Sequence, residues 1–307
     1  MSATEVVAVV GATATGKSGL ALDLAERLDG EVVNADSMQL YRGMDIGTAK
    51  LPAEERRGVP HHLLDVLDVT EESTLAAYQS AARAAIADIR GRGRMPVLAG
   101  GSGLYVRAAL DELEIPPADP QVRARLEARS AAGEDDALRE ELRRVDPAAA
   151  EAIQDNNIRR IIRALEVVEI TGRPFSATAP TKRYRRPSLV IGLRDDWTAL
   201  TERIERRARA MWDGGLLDEV RRLDAAGLRG GRTASRAIGY AQALGELDGR
   251  WGREEAIADT ARATRRYARR QESWWRPDPR PRWLDATAPD LVQVASDLAR
   301  RPTQWTP

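Results

Sequence analysis

Short apolar runs and helix-period stretches alternate through the N-terminal third of the chain. Val6–Val10, Glu31–Ala35, His62–Val66 and Pro96–Ala99 read as strands, and Leu20–Leu28 and the Ala-rich Leu75–Ile89 read as amphipathic helices. Strands alternating with helices predict βαβ units on a mainly parallel sheet. Ser73 or Thr74 can cap the second helix, and Gly91 to Gly93 can end it. From about Ile115 to Pro187 the strand pattern gives way to helices, predicted over Pro120–Ala132, Asp135–Val145 and Pro147–Thr171. Asp146 before Pro147 is a helix start, and Gly172 is a stop. Leu189–Leu193 reads as one more strand, amphipathic helices follow from Leu200 to about Trp275, and the Pro-rich tail after Arg276 reads as irregular. The expected architecture is α/β and doubly wound. Residues 1–114 form the first part of the core, 115–187 a helical insertion, and 188–307 a return to the core followed by C-terminal helices.

Composition narrows the chemistry. The 307 residues include no cysteine and two histidines, which excludes disulfides, thiolate nucleophiles and Cys-ligated metals and leaves little for a His-based metal site. Val6–Val10, the longest apolar run near the start, is too short to span a bilayer, so the expectation is a cytoplasmic protein with no membrane contact. Without a heptad pattern or an implied protein partner, a monomer is expected. The 47 cations balance 47 carboxylates, and only three of the cations are lysines, so the position of Lys17 stands out. Eight arginines lie between Arg262 and Arg282 against Glu272 and Asp278, a stretch expected to meet phosphates.

Gly11-Ala-Thr-Ala-Thr-Gly16-Lys17-Ser18 satisfies the P-loop pattern G-x(4)-G-K-[ST] and lies between a predicted strand and a predicted helix. Gly11 and Gly16 permit the turns that aim Ala12, Thr13, Ala14 and Thr15 around an anion. Lys17 adds a positive charge, and the Ser18 hydroxyl can ligate Mg²⁺. A nucleotide-hydrolysing P-loop site needs a strand ending in Asp, yet Met95–Gly101 ends in two glycines. The alternative carboxylate is Asp36, after Glu31–Ala35, as a Mg²⁺ ligand, a general base or the cap of a turn. The polar, Gly-broken stretch Ser37–Lys50 has the character of a functional loop, and Ser102 sits at a Gly-flanked strand end, where it could also cap the following helix.

These blocks together resemble the tRNA dimethylallyltransferases, also called tRNA isopentenyltransferases. The likeness is carried by residues 11–18, 36–50, 61–65 and 100–105, and then by 118–120 with Arg123, 160–166, 236–240 and 264–271 with Trp274. It covers nearly the whole chain, and the 36–50 block is its most specific part. The resemblance implies transfer of a dimethylallyl group from dimethylallyl diphosphate to N6 of the adenosine 3′-adjacent to the anticodon of tRNA. The P-loop would hold the diphosphate with Mg²⁺, Asp36 would be the base, and Ser102 and Arg207 would assist. Ser37, Met38 and Gln39 would meet the extruded nucleotide, together with Asp36 and Ser102. Arg123, Arg160 and Arg163 would contact the tRNA anticodon stem-loop or support that surface, and Tyr267, Trp274 and Trp275 could stack on RNA. Arg159 stands where relatives often have Gln and is not assigned. An adenine-nucleotide prenyltransferase or a small-molecule P-loop kinase is the alternative, and a non-catalytic RNA-binding module is disfavoured by the intact Lys17, Ser18 and Asp36.

Overall fold

The computed structural model describes residues 3–178 and 182–302. These divide into two compact units, one built from the segments up to Leu110 and from Tyr184 onward, the other from Asp111–Arg183. In the first unit, β1 (Val6–Gly11), β2 (Gly30–Asn34), β3 (His61–His62), β4 (Met95–Ala99), β5 (Ser188–Arg194) and β6 (Arg282–Asp285) form one sheet. Their order is β3-β2-β4-β1-β5-β6, and every pairing is parallel. The helices in chain order are α1 (Lys17–Arg27), α2 (Leu75–Gly91), α3 (Gly103–Leu110), α4 (Pro120–Ala131), α5 (Asp135–Val145), α6 (Pro147–Ala152), α7 (Ile158–Thr171), α8 (Trp197–Asp213), α9 (Leu216–Ala225), α10 (Tyr240–Leu247), α11 (Arg253–Trp275) and α12 (Leu291–Arg300).

β1 is apolar throughout, and β5 is so between its end residues, because helices cover both faces of the sheet. On one face, Leu20, Ala21 and Leu24 of α1 and Ala295 and Ala299 of α12 pack against Val7, Val9 and Ile191. A separate core gathers α8 to α11 around Tyr41 and Met44, from the loop that follows β2. That loop is anchored by Glu219 of α9, a buried carboxylate that accepts the backbone N–H groups of Asp45 and Ile46 (3.2 and 2.9 Å) and the Tyr240 hydroxyl (2.5 Å). The second unit has its own core, in which Leu126, Leu138, Leu142, Ile161 and Leu165 bring α4, α5 and α7 together. Asp146 starts α6 by accepting from Ala149 N, and it also holds Ser176 through its N–H and hydroxyl.

Three sequence expectations require correction. The strand over His62–Val66 contracts to His61–His62, because Leu63 and Asp65 take positive φ (62° and 57°) and Asn34 Nδ2 draws the Leu63 carbonyl aside. The helix over Pro147–Thr171 is two helices. α6 stops at Ala152, and Asn157 restarts the chain by capping the N–H of Arg160. The tail after Arg276 is not irregular as far as residue 302. β6 extends the sheet, with Trp283 packed where a Cβ on Gly192 would stand, and α12 closes one face; residues 303–307 lie outside those described. The helical unit spans 111–183, against the expected 115–187, within which 179–181 lie outside the described residues. Among the described residues no helix is long and apolar enough to cross a membrane.

Candidate active site

β1 delivers the chain into the P-loop at Gly11, whose φ of 143° and close approach to Leu193 O leave no room for a Cβ. Gly16, at φ 85°, precedes α1, whose start has neither a side-chain cap nor an acidic residue in its first turn. The leading amides of α1 are therefore available to an anion. Thr15 Oγ1 tightens the loop by donating to Ala12 O (2.8 Å), and Lys17 Nζ donates to the same carbonyl at 2.6 Å. The protein packed around Lys17, and next the charge of Arg207, lower its pKa to about 8, while Asp36 acts the other way.

Helix α8 lays two arginines along the loop at i and i+4. Arg203 donates to Ala14 O (3.1 Å) and pairs with Asp195, while Arg207 Nη2 donates to Thr13 Oγ1 at 2.6 Å. Burial holds the Arg207 guanidinium below its ordinary pKa and Asp36 partly offsets this; among the described residues no carboxylate lies within ion-pair distance of Arg207. Asp36 is itself fixed from both sides. Its N–H donates to Asn34 Oδ1 (2.8 Å), and its Oδ1 accepts from Met38 N (2.9 Å). The turn-capping role thus occupies one carboxylate oxygen.

Two cavities meet at these side chains. A polar one of about 160 Å³ is lined by Ala14, Gly16, Lys17, Ser18 and Gln39, and a larger one of about 300 Å³ by Ile204, Ala208, Met211, Ile238 and Tyr267. Thr13, Asp36, Thr48 and Arg207 border both. A charged compartment therefore opens into a larger one of mixed lining, in which Ile204, Ala208, Met211 and Ile238 form an apolar patch beside Arg236, Thr260, Thr264 and Arg270, with a carboxylate at the junction. Ser37 and Met38 line the larger cavity, and Gln39, whose Nε2 donates to Thr48 O (3.1 Å), lines the smaller. Gly11, Ala12 and Thr15 shape the loop from beneath, all buried. Ser102 borders neither cavity, although Gly100 and Gly101 before it line the polar one.

The glycines at the end of β4 have a packing cause. A Cβ on Gly100 would stand 2.4 Å from Ala35 O, one on Gly101 2.0 Å from Gln271 Nε2, and one on Gly103 1.9 Å from Trp274. No carboxylate side chain fits where a nucleotide-hydrolysing site carries its Asp. Among the described residues no cluster of three metal-ligating side chains exists either. Ser18, exposed at the polar cavity, is a hard oxygen donor suited to Mg²⁺, an ion that keeps several waters and takes substrate phosphate oxygens as ligands.

The arginines expected to meet RNA separate into different environments. Arg123 and Arg163 both pair with Glu166 (2.6 and 2.7 Å), and Arg163 also donates to the carbonyls of Pro116 and Pro117, so these two brace the helical unit. Burial pushes Glu166 up, but these arginines hold it below the usual carboxylate range. Arg160 is exposed on α7. The 262–282 stretch is not one face. Arg262 pairs with Asp259, Arg265 with Glu205 and Arg280 with Asp278, whereas Arg270 borders the larger cavity. Trp275 is core at 2% exposure, which removes it from RNA stacking, and Trp274 packs on Gly103.

Sequence reasoning passed over Thr48, Gln271 and the apolar side chains of α8, and it gave Tyr267 to stacking. The structure puts Tyr267 in the cavity wall, where burial and then the Asp36 charge push its hydroxyl up to about 12. The spacing of Thr264, Tyr267 and Gln271, at i, i+3 and i+7 on one helix face, was the available signal.

Residues 39–278 match the family model described as IPP transferase. The tRNA dimethylallyltransferase of Thermobifida fusca is 60% identical over 298 residues, covering 95% of this chain and 93% of that protein. That of Streptomyces avermitilis is 57% identical, covering 98% and 97%. Among solved structures, the tRNA isopentenylpyrophosphate transferase of Bacillus halodurans superposes with a TM-score of 0.69 at 42% identity, covering 96% of this chain and 94% of that one. A eukaryotic dimethylallyltransferase acting on tRNA superposes with a TM-score of 0.85 at 28% identity, covering 98% and 81%.

Proposed function

The chain belongs to the IPP transferase family of tRNA-modifying prenyl transferases, and we propose that it moves a dimethylallyl group from dimethylallyl diphosphate to N6 of the adenosine 3′-adjacent to the anticodon. One observation supports this above the others. The P-loop with its Lys17, joined by Arg207 of α8, opens into a cavity that carries an apolar patch of Ile204, Ala208 and Met211, and the carboxylate of Asp36 stands at the junction.

The donor's diphosphate takes the polar cavity, where the first amides of α1, Lys17 and Arg207 meet its charge. Ser18 would hold Mg²⁺, which when bound supplies further positive charge against the departing diphosphate. The five-carbon group lies against Ile204, Ala208 and Met211, which keep water from the reacting carbon. As the C1–O bond breaks, its electron pair leaves with the diphosphate. N6 of the adenine forms the new bond to C1, and its proton passes to Asp36. Ser37, Met38 and Gln39, on the loop beside Asp36, are placed to meet the extruded base, and Arg160 and Arg270 to meet the anticodon stem-loop. The reaction takes place in the cytoplasm.

The test is incubation with Mg²⁺, labelled dimethylallyl diphosphate and either an anticodon stem-loop bearing that adenosine or free AMP. Label in the stem-loop alone is expected. Label in AMP alone would keep the chemistry and replace the acceptor, and label in neither would end the prenyl-transfer reading for this chain.

A further inference from the structure

The turn that follows Met44 closes around a carboxylate. Glu219 of α9 is 2% exposed, and its Oε2 accepts from the backbone N–H groups of Asp45 and Ile46 at 3.2 and 2.9 Å. Its Oε1 accepts from the N–H of Gly47 at 3.4 Å and from the Tyr240 hydroxyl at 2.5 Å. Three successive amides turned to one point form a concavity for an anion, and here the chain supplies that anion itself from 172 to 174 residues away. Tyr240 sets how closely the turn approaches, since a Cβ on Gly47 would stand 2.4 Å from Cε2 of its ring.

The other side of the same turn is cavity wall. Gly47 and Thr48 line the larger cavity, and Thr48 and Ala49 the polar one. The Thr48 carbonyl accepts from Gln39 Nε2 at 3.1 Å, and the Thr48 hydroxyl donates back to Met44 O at 2.6 Å, so Gln39 is tied to the turn. Lys17 and Arg207 are held elsewhere, by Ala12 and Thr13 of the P-loop. A shift of the turn therefore alters the wall between the compartments and leaves the basic groups in place. Without the carboxylate, three amides turned into the protein lose their acceptor, and the turn relieves this by moving toward water.

We propose that Glu219 is a positioning residue for the acceptor nucleotide. By holding the 45–47 amides it fixes Thr48 and Gln39 at the junction of the two cavities, where Asp36 also stands, and so sets where the base meets the donor. The proposal rests on the reading of the cavities as donor and acceptor compartments. Glu219 itself touches neither substrate.

The experiment pairs kinetics of the full chain with amide hydrogen exchange. Glu219→Leu keeps the bulk and removes every acceptor, and its kcat/KM for the anticodon stem-loop should fall about 10- to 100-fold. Its affinity for inorganic diphosphate with Mg²⁺ should stay within about threefold of wild type. The amides of Asp45, Ile46 and Gly47 should exchange at least about tenfold faster, with those of α1 unchanged. Glu219→Gln keeps an oxygen for Asp45 and Ile46 and should recover most of the lost kcat/KM. Tyr240→Phe takes one hydrogen bond from Glu219 and none from the turn, so it should lower Tm and keep kcat/KM within about threefold. If Glu219→Leu fails to fold, Gly47→Ala displaces the turn from its other side and should give the same split between stem-loop kinetics and diphosphate binding. Equal losses in those two measures, an unchanged kcat/KM, or a Tyr240→Phe enzyme as slow as Glu219→Leu would reduce Glu219 to a general prop and overturn the proposal. Unchanged exchange at 45–47 would refute its hold on the turn alone, whereas wild type that labelled no stem-loop would bring down the acceptor reading and the proposal with it.

Discussion

Arg207 sets stability against function in a way that a single substitution can separate. Its guanidinium carries five N–H donors, and its hydrogen bond to protein goes to an uncharged acceptor, Thr13 Oγ1, at 2.6 Å. Burial disfavours its charge, only Asp36 favours it, and no ion-pair partner stands beside it among the described residues. Without an anion, a partly desolvated cation of this kind costs the fold about 1–3 kcal/mol. With the diphosphate in place, a charge-assisted contact at the breaking bond is worth about 3 kcal/mol. Arg207→Met keeps the packing of the stem and removes the charge. Ligand-free protein should then gain about 1–2 kcal/mol, or roughly 2–6 °C in Tm for a unit of this size. kcat/KM for dimethylallyl diphosphate should fall about 100-fold or more. Thermal unfolding with and without inorganic diphosphate, beside steady-state prenyl transfer, measures both, and the stabilisation by diphosphate should shrink in the variant. A variant less stable than wild type without ligand, or one keeping kcat/KM within about threefold, would refute the assignment of Arg207 as an anion-receiving charge.

Asp36→Asn keeps an oxygen for the Met38 N–H and removes the base. Turnover should drop by about two orders of magnitude or more with donor binding little changed, and near-normal turnover would exclude it as the proton acceptor. Lys17 is charged below its pKa of about 8 and neutral above it, so kcat/KM for the donor should decline as pH rises through about 8. A pH profile with no such limb would contradict contact between Lys17 and the diphosphate. Glu31 is buried in β2 and held by Arg92 first and then His62, which depress its carboxyl from 4.5 to about 2. Its contribution is complete above the unfolded pKa and is lost as pH falls from about 4.5 toward 2, with an upper size of about 3 kcal/mol. Glu31→Gln should therefore destabilise at pH 7 by up to that amount and much less at pH 3, and urea unfolding at the two pH values checks it. Equal losses at both would mean the pair is not the source.

The amino-acid sequence determined what depends on neighbours along the chain. The P-loop, its strand and its helix are consecutive, and the rule that places a phosphate among them is a rule about consecutive amides. The same holds for the caps at Thr74 and Asp146 and for the αL stop at Gly172, each made within four residues. The alternation that predicted a parallel sheet is equally local, and it failed where local signals are weakest, in the two-residue β3 and in β6, whose four residues are only partly buried. What tertiary structure alone decided is which distant side chains complete the site. Arg207 reaches Thr13 across 194 residues, Gln271 reaches it across 258, and Glu219 holds the loop at Ile46 across 173. It also decided that an arginine-rich helix is not an arginine-rich face. Successive residues of α11 turn by about 100°, so the run points in several directions at once, and the partner each cation meets is set by whichever element packs there.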